Sequence, residues 1–293
     1  MPGEIYFVPT DANGHQWVGD DETVWPLPTR SPDGSFEPGA AVTPDTGSPV
    51  VLLDLDGLLD DLGERIFVAE VVDAVGLAAR GGRLVRETAW SLHEAARFAL
   101  DCAEHVVMEP ESFKLPSGPT LADVFRSARQ YLDRDERRPG DGLLERMSRI
   151  ALARRLRHLG DRVADLAFQI TIEDEADDLE ALDDPGWTAT AAVREAVLSA
   201  TEAIRHDAFP RLLESQNRRY EADSAVDLPS ELISTPWGNF SAGNRAGIVP
   251  AWVAARDAAE RARQAVGDAN EATAGAEERA WQRNRLAEAL GIA

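Results

Sequence analysis

The sequence predicts an α+β protein that is predominantly α-helical: a small β-rich module over residues 1–87, then an alanine-rich bundle of long helices over 88–293. Three observations carry this. Short β-branched and aromatic runs, separated by turn sequences, fill the first fifty residues or so. ERIFVAEVV (64–72) and GRLVRE (82–87) have strand character. From Ser91 onward, apolar residues recur at helical spacing for most of the chain.

In order, EIYFV, QWV and TVW are strand signals, and DANG, GDD and SPDGSFEPG between them are turn chemistry. VVLLDLDGLLDD (50–61) reads as an apolar strand or helix entry followed by a short helix. Ser91 with Glu94 has the form of a capping box, and Leu92, Ala95, Ala96, Ala99, Cys102, Ala103 and Val106 make an apolar stripe. Glu94, Arg97, Asp101 and Glu104 are mostly turned the other way. This helix is expected to stop at Glu109-Pro110, and the next, capped by Thr120 with Asp123, at Arg138-Pro139-Gly140. A long helix is expected from Gly142 to about Asp178, with Leu144, Met147, Ile150, Ala151, Leu152, Leu156, Leu159, Val163, Leu166 and Ile170 inward. DDPGW (183–187) reads as a turn before a further helix that Pro210 should kink. A long loop over 226–250 precedes alanine-rich closing helices, in which Gly267 and Gly275 are weak points.

Composition excludes several classes of function. The formal charge of -22 opposes sequence-independent binding to nucleic acid, because phosphates would be repelled. Basic protein partners suit it better. A single cysteine rules out an internal disulfide and points to a reducing compartment, so the expected setting is the cytoplasm. The N-terminal residues lack the pattern of a signal peptide, and no run approaches the roughly 20 apolar residues of a membrane span. Lys114 is the only lysine, so 29 of the 30 basic residues are arginine, whose planar fork suits fixed carboxylate pairs on helices.

Three features are candidate sites. Asp54 and Asp56, after an apolar run, resemble the DxDG motif with which phosphohydrolases of the haloacid dehalogenase type present a nucleophile and an acid/base. GDRVAD (160–165), with Arg138 or Lys114, would complete it, but that motif needs parallel strands alternating with helices, and GDRVAD falls inside an unbroken helical pattern. Cys102 and His105 at i, i+3 would offer two metal ligands or a thiol and base, yet Cys102 lies on the apolar stripe, where a free cysteine acts as a small hydrophobe. In the acidic run 173–184, Asp174 and Asp178 at i, i+4 resemble the magnesium motif of all-helical prenyl-chain synthases, but no second acidic motif accompanies them. Asp174, Asp177, Asp178 and Glu180 of this run, with Trp237 of the long loop, are the candidates for contact with a partner protein. No catalytic residue, cofactor or metal is expected; phosphate-cradling loops and Ser/His/Asp arrangements are missing.

RLVRETAWSLHEAARFALDCAEHVV resembles the joint of a set of uncharacterised actinobacterial and actinophage proteins, in which a small β-rich module precedes an alanine-rich helical one. VPTDANGHQWV, TVWPLP, ERIFVAEVV, DAAERARQAV and EERAWQRNRLAEAL are similar to further segments of that set, and the likeness is firmest over 83–107 and 277–290. The helical part resembles immunity proteins of polymorphic toxin systems. The resemblance implies a non-enzymatic, toxin-neutralising role, with no catalytic residues to carry over. The chain departs from it near residue 58, where a Gly-Leu-His and a cysteine are missing, and after Val107. The expectation is therefore an acidic, immunity-like binding protein. The alternatives are a phage or particle component, suited by long alanine-rich helices, and a phosphohydrolase using Asp54 and Asp56.

Overall fold

In a computed structural model, residues 5–18, 21–42, 50–75, 78–107, 110–115, 118–136, 142–173, 185–208, 249–267 and 271–292 are described. They hold eight strands and seven helices, with all strands before residue 88, so the fold is α+β and mostly helical. Contacts divide the chain into two units, Met1–Ser91 with Trp281–Ala293, and Leu92–Ala280.

In the first unit, β1 (Tyr6–Thr10), β6 (Val50–Val51), β7 (Arg65–Val75) and β8 (Ala78–Glu87) form an antiparallel sheet in the order β1-β7-β8-β6. Two hairpins stand beside it, β2 (His15–Val18) with β3 (Asp21–Val24), and β4 (Thr29–Arg30) with β5 (Phe36–Glu37). Alternation along the strands sends Tyr6 and Val8 of β1, and Phe67 and Ala69 of β7, into one core with Trp25, Leu52, Ala79 and Leu84. The buried Trp25 indole donates to Oε1 of Gln16 at 2.9 Å, which satisfies its one polar atom. The turn into β2 is set by Asp11, whose carboxylate accepts from the backbone N–H of Asn13 (2.7 Å) and His15 (2.9 Å). It also needs Gly14, at φ +88°, because a Cβ there would lie 2.4 Å from the Trp25 carbonyl oxygen.

On the other side of the sheet, Phe7 and Ile66 are buried together with Leu58, Leu59, Leu62 and Trp90. Leu58 closes the short helix α1 (Leu55–Leu58), and the Trp90 indole donates to the Gly63 carbonyl at 3.0 Å. The last residues of the chain join this unit, since Leu286 and Leu290 are buried and Ala89 N–H donates to the Leu290 carbonyl at 3.1 Å. Helical periodicity alone would leave 281–293 with the helical module. These residues end in a Schellman arrangement, with Gly291 at φ +68° and backbone bonds from Gly291 to Glu288 and from Ile292 to Ala287.

The second unit holds α2 (Leu92–Val106), α3 (Leu121–Glu136), α4 (Leu143–Glu173), α5 (Pro185–Ala208), α6 (Ala251–Gly267) and the part of α7 (Glu271–Ala289) up to Ala280. α5 is the central helix, packed against α2, α3, α4 and α6. Small residues make this possible: Ala191, Ala192, Ala196, Ala200 and Ala203 are all buried, with Val193, Val197 and Ile204, and a half-buried strip with Arg194 and Arg205 meets solvent. Its buried hydroxyls are bonded to backbone, Thr201 to the Val197 carbonyl at 2.8 Å and Ser199 to that of Ala251 at 2.7 Å.

Two expectations need correction. Residues 185–187 are not a turn: α5 starts at Pro185, where a missing N–H costs the first helical turn nothing. On α4, Leu144 and Met147 are exposed (78% and 58%), and so is Ala151. The buried row is Arg149, Leu152, Ala153, Leu156 and Val163, and Met147 lies half a turn around the helix from Leu156. Two apolar rows had been merged into one. The polar row of α2 is turned away from the apolar stripe, as expected, and it pairs with α3. The reading of Thr120 with Asp123 as the cap of α3 agrees with the structure. Thr120 N–H and hydroxyl meet Asp123 Oδ2 at 3.1 Å, and Asp123 N–H donates to Thr120 Oγ1 at 3.2 Å.

Candidate functional site

Glu94, Arg97, Asp101 and Glu104 succeed one another at helical steps, so they share one face of α2. Arg97 donates to Glu94 (2.6 Å), to Glu136 (2.8 and 2.5 Å) and to Asp133 (3.4 Å). Arg129 donates to Asp101 at 2.7 Å and also to Glu104. Rising numbers on α2 meet falling numbers on α3, so the two helices are antiparallel along a seam of ion pairs. The bidentate bond to Glu136, and then that to Glu94, hold the Arg97 guanidinium above its ordinary pKa.

At one end the seam passes into the interior. Nε2 of His93 lies 3.2 Å from Oδ2 of Asp135, and Nε of Arg149 donates to Oδ1 of Asp135 at 2.9 Å. Because an ionised carboxylate only accepts, the imidazole donates from Nε2. Asp135 is 1% exposed, and His93 and Arg149 are 7% each, so α2, α3 and α4 meet at a buried polar triad centred on the Asp135 carboxylate. A carboxylate taken out of water at such a point loses several kcal/mol of hydration, roughly, unless charges and hydrogen bonds replace it. A carboxylate beside an imidazole resembles part of a hydrolytic triad, but the third member is a guanidinium, which is no nucleophile. The chemistry of this group is to join helices. Its members escaped the search for paired motifs, though a signal existed. Asp135 lies in phase with the apolar stripe Leu121, Val124, Phe125, Ala128 and Leu132, and Arg149 lies in phase with that of α4.

The Cys102 and His105 pair is not brought together as a site. Cys102 is fully buried, and Nδ1 of His105 lies 2.6 Å from Oε2 of the buried Glu278. No group of three or more His, Cys, Asp or Glu side chains able to hold a metal ion occurs among the described residues. Asp54 caps α1, its Oδ1 accepting from Gly57 N–H at 2.8 Å, and Asp56 meets Arg283 at 3.3 Å. Their neighbour β6 is a two-residue antiparallel edge strand, unlike the parallel strand that the DxDG motif requires. Asp174, Asp177, Asp178, Glu180 and Trp237 lie outside the described residues.

Two further acids sit inside the bundle on α5. Burial pushes the carboxyl of Glu202 above its ordinary value of 4.5, although Arg205 at 2.7 Å opposes this. Glu195, beside Arg194, is raised by burial in the same way. Its side chain keeps 16% exposure, so the effect is firmer at Glu202, which keeps 4%. No helix of the described residues is long and apolar enough to cross a membrane. Compared with protein-family models, with curated proteins and with solved structures, the chain matches none.

Proposed function

We propose that this protein acts by binding: an acidic, immunity-like factor that covers a basic surface of a partner protein. The observation that supports this most is the charge of -22. Several arginines already serve the chain's own carboxylates, Arg65 with Glu87, Arg97 with Glu136, Arg129 with Asp101 and Arg149 with Asp135. The excess of acid is therefore left for solvent and partners. Complementary charge of this kind speeds encounter more than it fixes affinity. The resemblance of the helical part to immunity proteins points the same way.

The test is affinity capture from native lysate together with the products of neighbouring genes, at low and at high salt. A specific partner, released as salt rises, is expected. Recovery of none at low salt would overturn the proposal.

A further inference from the structure

The outer face of α4 runs against the character of the whole chain. Between Gly142 and Arg162 six arginines stand against only Glu145 and Asp161. Arg149 is used inside the bundle, whereas Arg146, Arg154, Arg155 and Arg157 are exposed. Among the described residues the side chains of Arg146, Arg154 and Arg155 enter no hydrogen bond or ion pair, and Nη2 of Arg162 lies 3.2 Å from Nε2 of His158. In phase with Arg154, Arg155 and Arg162, and before them on the helix, lie Leu144, Met147 and Ala151, all exposed. Leu144 and Met147 are two of four exposed large hydrophobic residues among those described, and they are the only two that adjoin on one helix face. A solvated helix face has no need of this pairing of an apolar end with a cationic one.

We propose that the face of α4 from Leu144 to Arg162 docks an acidic amphipathic segment of a partner protein. Apolar side chains of that segment cover Leu144 and Met147, and its carboxylates meet Arg154, Arg155 and Arg162. The helix-on-helix form follows from the spacing, since the two apolar anchors are three residues apart and the arginines continue the same ridge. Bidentate pairing favours arginine over lysine here, and Arg154 and Arg155 are exposed before binding, with Arg162 half-buried, so little is lost by desolvation. A second copy of the chain fits less well, because each copy carries -22 and a two-fold pairing would set arginines against arginines. A nucleic acid fits less well too: phosphates gain nothing from Leu144 and Met147 and meet the same overall repulsion. The inference does not depend on the acidic surface proposed above, as it concerns the opposite charge on a different set of residues.

The test is fluorescence anisotropy with a labelled three-heptad peptide of glutamate and leucine, beside a lysine and leucine peptide and a single-stranded oligonucleotide of matched charge. Saturable binding of the Glu/Leu peptide is expected. It should weaken by about tenfold in Arg154→Glu/Arg155→Glu and in Leu144→Ser/Met147→Ser, and should be unchanged in Arg80→Glu, an exposed position in the other unit. All these positions are exposed, and far-ultraviolet circular dichroism verifies that each variant is folded. Absence of saturable binding overturns the proposal. So does equal binding of the Lys/Leu peptide, preference for the oligonucleotide, equal weakening by Arg80→Glu, or a self-associated parent, seen by light scattering, that Arg154→Glu/Arg155→Glu makes monomeric.

Discussion

Nε2 of His93 stands 3.2 Å from Oδ2 of Asp135, 42 residues away in sequence, and this contact fastens the start of α2 to the end of α3 inside the bundle. Arg149 secures the other oxygen of the same carboxylate. Asp135→Asn would leave the buried guanidinium without its counter-charge, and a loss of about 3–5 kcal/mol in unfolding free energy is expected by chemical denaturation. His93→Gln keeps the carboxylate paired with Arg149 and should cost less, about 1–2 kcal/mol. In a double-mutant cycle Asp135→Leu with Arg149→Met should cost less than the two single changes added together. Additive costs would mean that the two residues do not share one interaction.

The acid on the central helix gives stability a dependence on pH. Glu202 holds its proton more tightly folded than unfolded, since its carboxyl is raised from 4.5 by burial. As pH rises through 4.5 the unfolded state gives up that proton first, so stability falls between that point and the raised value. Glu202→Gln removes the titration. The variant's melting temperature should gain on the parent's as pH rises from below 4.5 to neutrality; a gap that stays constant over that range would contradict the burial of the charge.

Cys102 is a reporter of unfolding. With 0% exposure on the apolar stripe of α2, its thiol should react with an aromatic disulfide reagent only as the helical unit opens. The rate should rise with denaturant in parallel with the loss of helical circular dichroism. Fast labelling in native buffer would place the thiol at a surface and revive it as a reactive group.

Gly63 tests the packing of the β-rich unit. A Cβ at this position would come within 2.8 Å of the Thr10 N and 2.9 Å of its carbonyl oxygen, backbone atoms of β1 that have little room to move. Gly63→Ala should cost about 2 kcal/mol by overpacking. It should also lower the melting temperature and weaken the buried Trp90 bond to the Gly63 carbonyl, seen as a red shift in fluorescence. An unchanged melting temperature would mean that the strand is looser than described.

The class of the fold was legible because period and residue type agree in the long elements. ERIFVAEVV supplies β7, the row from Leu92 to Ala103 supplies the buried face of α2, and Thr120 with Asp123 supplies a cap. Sequence reasoning failed at 185–187, where residues that suit a turn open a helix, and on α4, where one helix carries two messages. α4 has an inner row and an exposed apolar row, and spacing alone cannot say which of them a neighbour covers. α2 has a charged row that spacing turns away from the apolar stripe, but its pairing with α3 is decided by another segment of chain. The buried triad was hidden because its three members sit on three helices, and no local pattern links His93 to Asp135 and Arg149. Asp135 and Arg149, each in phase with apolar residues of its helix, were the visible signs.

The return of residues 281–293 to the unit that begins the chain has a consequence for biosynthesis. On the ribosome, β1 through β8 emerge long before Leu286 and Leu290, yet the Ala89 N–H finds its acceptor only at Leu290. Of the two units, the one synthesised earlier is thus the last to be completed, and in a chain stalled before Trp281 the Ala89 N–H is still without that acceptor.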